Sequence, residues 1–505
     1  MTTIQYLSLT KPQRALITIG NFFTGIGLGI ARFFKNIPYL LFKLGKKLSG
    51  PFVVLYYAAK NGTWFTRANF LIMGCSQIFH KEFFRGILYL LYEVVFIWFM
   101  IKLGAPTLSK LGSLGTFARS SSYVLDPAEG SSLAIGLGDD SFNILLYSLV
   151  TILLIVILVV LWYFSIRDAK SLQDNIAIGR LSKNSQFFKD LMDKKYHTVL
   201  LAVPLVGLVA FTVIPVVFMI ITGFTNYSQA HSELYDWVGF DNYTSLFTSF
   251  SGASGMGTVF LKILAWTLLW ALIATFTNYF LGMVVALMIN RKGIKLKKLW
   301  RTILIVTIAV PQFVSLLLIS KMLSNSGFLT RLFVDWGWVP KLGSPFDNVV
   351  FSKVLIIIVN MWVGVPYTML ICSGILMNIP EDLYESAKID GASTFKMYRS
   401  ITLPYMLFIT MPYLISQFVG NINNFNIIYL FSNGRPYFAN LPASFGNVGE
   451  TDLLITWIYK MSMESGTKNY AMACVLGLLV FIVIAVFSLI FYGKSSSVKS
   501  EGDFQ

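Results

Sequence analysis

The feature that most constrains this chain is its series of long apolar segments without charge. The plainest, FNILLYSLVTILLIVILVVLWYF at residues 142–164, runs for 23 residues without a single ionisable acid or base. A bilayer core of about 30 Å is crossed by roughly 20 such residues in a helix. Only helices and closed barrels satisfy their own backbone polar groups in lipid. Eight segments meet the helical length, at approximately 84–101, 142–165, 199–223, 259–289, 302–323, 354–377, 403–431 and 469–492. Charged residues make up 13% of the chain, against about 25% in soluble domains. The expectation is an all-α polytopic membrane protein with about eight transmembrane helices.

The distribution of charge orients these spans. Of the 40 Lys and Arg residues, 29 fall in residues 1–85, the loops near 166–198, 290–301 and 378–402, and the tail from 493. The loops on the other side hold seven, and the loop at 225–258 holds none. The excess of basic residues in cytoplasmic loops therefore predicts both termini in the cytoplasm. The net charge of +16 needs no nucleic-acid partner; lipid headgroups suffice. Residues 15–31 are uncharged but short and flanked by Arg14 and Arg32. They read either as a ninth span or as a helix in the inner interface, and the basic flanks favour the interface.

This organisation divides the chain into a basic, interfacial region at 1–82, two spans and a loop at 83–195, a core of six spans at 196–492, and a cytoplasmic tail at 493–505. No catalytic motif accompanies it. Gly493-Lys494-Ser495 has the ending of a phosphate-binding loop, but Ser488 stands where the first glycine belongs. Cys75, Cys372 and Cys474 are far apart, and the three histidines are scattered, so no metal site is expected. Glu93 is the one clear acid inside a span, whereas ion-coupled carriers use intramembrane ionisable groups. The chain is expected to be no enzyme, to bind no cofactor, and to draw its energy from another chain.

The loop NIPEDLYESAKIDGASTFKMYRSITLP, within residues 378–404, predicts a helical hairpin. Pro380, Glu381 and Asp382 suit a helix N-terminus. Asp390-Gly391 ends that helix, because glycine accepts the left-handed conformation at a helix C-terminus. Ser393 caps a second short helix, and Pro404 is expected to mark the junction with the next span. Small residues, Ser386, Ala387 and Ala392, permit close contact. From these residues alone the hairpin is either an amphipathic linker on lipid or a docking element.

Glu385-Ser386-Ala387, Asp390-Gly391-Ala392 and Leu403-Pro404 resemble the EAA loop of permease subunits of bacterial ABC importers. In that family the loop is the coupling helix that docks in a cleft of the ATPase subunit. The resemblance assigns Glu385, Ser386, Ala387, Asp390, Gly391 and Ala392 to ATPase coupling, with Ser386 in place of the usual alanine. ITLPYML, NINNFNIIYLFSNGRP and TDLLITWIYKMSMESG extend it over residues 196–492 to the larger membrane subunits of maltose/maltodextrin importers. The loop at 224–258 departs from the enterobacterial pattern, which carries a large folded insertion there.

Transport of a polar ligand needs a polar site between helices near the midplane. Asn360, Gly364 and Tyr367 follow i, i+4, i+7 spacing on one span, and Gln417, Asn421 and Asn424 on the next. Amides donate to and accept from hydroxyls, glycine permits close approach, and tyrosine offers a stacking face. The same amides can instead tie helices together. The resemblance implies that these positions contact sugar, although Gln417 and Gly420 stand where maltose permeases have serine and phenylalanine. It also implies a second permease subunit, an ATPase dimer that binds ATP and Mg, an extracellular solute-binding protein and an oligosaccharide substrate. The rival reading is a secondary carrier or channel without an ATPase.

Overall fold

A computed structural model describes residues 50–494, apart from 118–122, 126–131, 135–137, 180–188, 190, 194–195, 249–254, 292, 341–342, 443–444, 465 and 467. The stretch at 15–31 and the tail beyond 494 lie outside the described residues. Seven helices among those described are long and apolar enough to cross a membrane, or eight if one bent pair is a single span. In chain order they are α1 Phe83–Ser109, α2 Ser141–Ala177, α3 Tyr196–Thr222, α4 Met256–Asn290, the bent pair α5 Lys297–Ala309 and α6 Gln312–Met322, α7 Val349–Leu376, α9 Thr394–Ile422 and α10 Tyr470–Lys494. Helix α8, Glu381–Ile389, lies between α7 and α9. One two-stranded antiparallel hairpin, Tyr123–Leu125 with Ser132–Ala134, interrupts the helical pattern.

Two expected spans differ from their sequence outline. The segment expected as one helix at 302–323 bends by 85° between α5 and α6. Pro311 has no N–H to give and disfavours a helical residue before it; Val310 is accordingly extended, with ψ of 124°. The segment expected at 403–431 begins earlier and ends sooner. Its helix runs from Thr394 to Ile422, through a five-residue π-helical stretch at Tyr398–Thr402, so Pro404 marks no junction. After Asn423, a separate π-helical stretch covers Ile427–Ser432. Pro366 and Pro412 sit inside helices that continue past them.

The chain forms two compact units. The first, described over 50–109 and 147–209, contains α1 with parts of α2 and α3. Residues 64–82, expected to belong to an interfacial region, pack here through polar contacts. Asn69 Nδ2 donates to Gln77 Oε1 (2.8 Å) and to Ser165 Oγ (3.1 Å), and Ser76 N donates to Asn69 Oδ1 (2.7 Å). Gln77 Nε2 donates to Ser165 O (2.9 Å), and Gly74 N to Ser165 Oγ (3.0 Å). Asn69, Ser76, Gln77 and Ser165 are all fully buried. Glu93 on α1 accepts from Met73 N at 2.8 Å. Arg85 pairs with Asp168, to which Tyr89 Oη also donates (2.9 Å).

The second unit, 110–146 with 210–494 among described residues, is built around α4. Val259, Ile263, Trp270, Ala274, Tyr279, Met283 and Ala286 of α4 are buried, the imprint of neighbours on several sides. Gly282 allows α7 to approach: a methyl there would lie 2.7 Å from Thr368 Cβ. Loops of this unit are tied together, with Trp237 Nε1 donating to Leu111 O (3.0 Å), Gln229 N to Lys468 O (2.8 Å), and Tyr227 stacked on Tyr470 at 4.6 Å.

Candidate functional site

The hairpin takes the form its residues predict up to Ser393. Helix α8 carries Glu381 and Asp382 in its first turn and Lys388 in its last, each charge opposing the partial charge of the helix end. Gly391 has φ of +71°. Its N–H donates to Lys388 O (3.0 Å), and the Ala392 N–H reaches back to Ala387 O (2.9 Å). This pair of bonds is the Schellman arrangement, which satisfies carbonyls at a helix end and asks for glycine at the left-handed position. Ser393 then caps α9, its hydroxyl accepting from Lys396 N at 3.3 Å. Tyr384 Oη and Thr402 Oγ1, 2.8 Å apart, join the two arms.

The tip of this hairpin is apolar and uncovered. Ile389 is 87% exposed and Phe395 71% exposed, and Glu385, Ser386, Asp390 and Gly391 are exposed beside them. Ala387 and Ala392 are half-buried. Two large apolar side chains beside a rigid turn form a surface suited to a protein partner. At the root of the hairpin lies a cavity of about 960 Å³, lined in part by Met288, Asn290, Arg291, Tyr384, Met397 and Tyr398.

The polar residues of the spans meet on α4, α7 and α9. Asn421 is buried; its Nδ2 donates to Thr275 Oγ1 (3.0 Å) and its carbonyl accepts from Trp270 Nε1 (3.1 Å). Tyr279 Oη lies 2.7 Å from Thr410 Oγ1, and Tyr413 Oη lies 3.3 Å from Thr368 Oγ1. Gln417 is half-buried and Tyr367 is 47% exposed, its ring 6.4 Å from that of Tyr413. Asn360 is 4% exposed on α7, and its Nδ2 has no hydrogen-bond partner. An orphaned buried donor costs about 1–3 kcal/mol.

Two of the expected alignments change. Asn424 lies beyond the end of α9, where its Oδ1 accepts from Ile427 N (3.5 Å). It therefore shares no helical face with Gln417 and Asn421; the helix that would have aligned them stops at Ile422. Gly364 does not present bare backbone to a ligand either. The amide of Asn278 lies against it, such that a methyl on Gly364 would sit 2.6 Å from Asn278 Cγ. Asn278 is a site residue that sequence patterning missed, because its place against Gly364 depends on a contact between helices distant in sequence. Its Oδ1 is buried and unpaired.

A second missed feature lies in the loop between α9 and α10. Lys460 and Asp452 form a fully buried ion pair (2.8 Å). Lys460 Nζ also donates to Asn433 O (2.8 Å) and Asn447 O (3.1 Å), while Asp452 accepts from Gly449 N (2.8 Å) and Thr456 Oγ1 (2.7 Å). Burial pushes the Asp452 carboxyl upward, against the pull of Lys460. With its hydrogen bonds complete, the pair fixes the loop rather than offering a site.

Comparison with known proteins bears on these features. Residues 278–495 match the family described as the binding-protein-dependent transport system inner membrane component. The maltodextrin transport system permease protein MalC of Streptococcus pneumoniae is 32% identical over 451 residues, covering 85% of this chain and 95% of that protein. GanP of Bacillus subtilis, a galactooligosaccharides transport system permease protein, is 32% identical over 440 residues, covering 85% and 97%. MalF of Escherichia coli, a maltose/maltodextrin transport system permease protein, is 34% identical over 262 residues, covering 50% and 48%. The first two similarities extend well beyond residues 196–492, to which the sequence motifs confine the resemblance. With relatives matched over nearly their whole length, the chain belongs to the family of inner-membrane permease components of binding-protein-dependent transport systems.

Proposed function

We propose that this chain is one of two membrane subunits of an ATP-driven importer for a neutral di- or oligosaccharide, that it forms half of the translocation pathway, and that its 378–404 hairpin couples to a separate ATPase. The observation that carries this reading is the hairpin, with Ile389 and Phe395 exposed beside a glycine-locked turn. Such a tip gains by burial in a protein cleft, at about 25 cal/mol per Å² of apolar surface. Glu385, Ser386, Ala387, Asp390, Gly391 and Ala392 are assigned to that contact. ATP and Mg belong to the ATPase dimer, and an extracellular binding protein delivers the sugar.

Sidedness follows from charge. The loop between α4 and α5 carries Arg291, Lys292, Lys295, Lys297, Lys298 and Arg301, so both it and the hairpin after α7 are cytoplasmic. This arrangement requires the bent pair α5–α6 to cross the membrane once, and it leaves both termini inside. The substrate class is read from the uncharged polar stripe of Asn278, Asn360, Tyr367, Gln417 and Asn421, with Asn424 and Gly364 at its margins. Relatives of equal identity are named for maltodextrin and for galactooligosaccharides, so the class, a neutral oligosaccharide, is the proper level of assignment. The test is uptake of radiolabelled maltotetraose and galactotetraose by the complete importer in proteoliposomes. ATP-dependent accumulation of either supports the reading; accumulation driven by an ion gradient without ATP overturns it.

A further inference from the structure

Residues 1–81 contain ten Lys and Arg and no Asp or Glu. The described part of this acid-free stretch is fastened to the polar continuation of α2. Trp162 Nε1 donates to Phe70 O (3.0 Å). Thr63 N and Thr66 Oγ1 donate to Gln173 Oε1 (3.0 and 2.9 Å), and Gln173 Nε2 donates to Asn61 O (3.0 Å). Together with the bonds to Ser165, these contacts fix its depth. The charge-free run of α2 ends at Phe164, and Gln173 lies nine residues further on, about 14 Å along the helix axis. A helix that leaves the hydrocarbon where its apolar run ends therefore carries residues 61–77 at headgroup level, the depth at which Trp162 is favoured.

What is left uncovered suits that depth. Phe52, Tyr56, Trp64, Leu71 and Phe79 are exposed, Trp64 by 80% and Leu71 by 84%. Lys60, Arg67 and Lys81 stand among them and are exposed too. Lys60 Nζ lies over the Tyr56 ring at 5.6 Å, and Arg67 Nη2 donates to Lys60 O (3.0 Å). None of the three cations forms an ion pair among the described residues.

We propose that residues 50–81 form a docking surface for anionic phospholipid headgroups of the cytoplasmic leaflet, whose phosphates pair with Lys60, Arg67 and Lys81 while the aromatic side chains settle between headgroups and acyl chains. Charge complementarity decides for this occupant. A negatively charged lipid surface attracts each nearby cation, and here no acid competes for them. Rings with a polar tip, such as those of Tyr56 and Trp64, favour the same interface. A neutral lipid would satisfy the apolar side chains and leave the cations without a counter-charge. The choice of leaflet rests on the sidedness proposed above; the choice of lipid does not depend on the sugar assignment.

Local lipid composition tests this directly. In a chain with Cys75, Cys372 and Cys474 replaced by alanine, Ala59→Cys carries a fluorophore, and the whole importer is placed in nanodiscs of equal parts phosphatidylglycerol and phosphatidylcholine. A nitroxide quencher is attached near the head of the acyl chain of one lipid or of the other. Quenching is expected to be about fivefold stronger or more when phosphatidylglycerol carries the nitroxide, and Lys60→Gln, Arg67→Gln and Lys81→Gln combined should bring the two lipids level. Equal quenching before those substitutions overturns the proposal. So does an absence of quenching by either lipid, which would put this surface in water or against protein. Should the triple variant fail to assemble, salt serves instead: the preference is expected to fall as ionic strength rises, and its persistence at high salt overturns the proposal. Inorganic phosphate should act no more strongly than chloride of equal ionic strength; selective loss of the preference with phosphate would reveal a pocket for a free anion and overturn the lipid. Since no transport is measured, failure here is distinct from failure of the importer reading.

Discussion

The molecule holds two buried polar clusters of similar composition and opposite character. In the first unit, Asn69, Gln77, Ser76 and Ser165 exchange hydrogen bonds until each amide is used. In the second, Asn360 and Asn278 each keep a buried atom open. Closed networks hold backbone in place, as residues 69–77 are held against Ser165 of α2. Open, complementary atoms in a packed helical pair cost stability and are kept where something else fills them. On the proposed reading, the contrast separates helix ties from ligand contacts more sharply than residue type does, since both clusters contain asparagine amides.

Breaking each cluster should give opposite results in stability and transport. The largest loss of stability is expected from Lys460→Met, which leaves the fully buried Asp452 without its partner and costs about 3–5 kcal/mol. Thermal unfolding in detergent measures it. Asn69→Ala follows, because it orphans Ser76 N–H and the partners of Nδ2 at ~1–3 kcal/mol for each group that stays buried; uptake per assembled complex should remain at the wild-type level. Asn421→Ala breaks one bond to Thr275, a loss of about 1 kcal/mol, with a partial fall in uptake. Asn360→Ala should not lower the melting transition, since its Nδ2 makes no bond, while uptake falls about tenfold or more, equivalent to about 1.4 kcal/mol. If Asn360→Ala destabilises as much as Asn69→Ala, or if Asn69→Ala stops transport in assembled complexes, the distinction between the clusters fails.

What could be read from the sequence follows from how local each signal is. The spans were legible because twenty apolar residues in a row have one stable use. The hairpin was legible because Asp390-Gly391 and Ser393 act on neighbours three to five residues away, and Gly391 takes the positive φ required of it. The ends of α9 were not. Pro404 suggests a break, yet it lies in the first turn of an α-helical run that follows a π-helical stretch, where its missing N–H does little harm. Asn424 was placed on a face by counting residues, and the count fails once the helix ends at Ile422. Asn278 and the Lys460–Asp452 pair depend on contacts between elements distant in sequence, so no spacing announces them. The buried network at residues 69–77 was hidden for the same reason.

The central claim is that the exposed hairpin transmits the action of a separate ATPase to this pathway. The direct measurement is ATP hydrolysis and radiolabelled oligosaccharide uptake, recorded together in proteoliposomes containing the whole importer, for wild type, Glu385→Ala and Gly391→Val. A β-branched residue at φ of +71° is strained by roughly 1–2 kcal/mol, and Glu385 sits on the exposed face. The account predicts that both variants reach the membrane and that uptake falls at least tenfold per ATP hydrolysed. Uptake and its ratio to hydrolysis unchanged in both variants would contradict it.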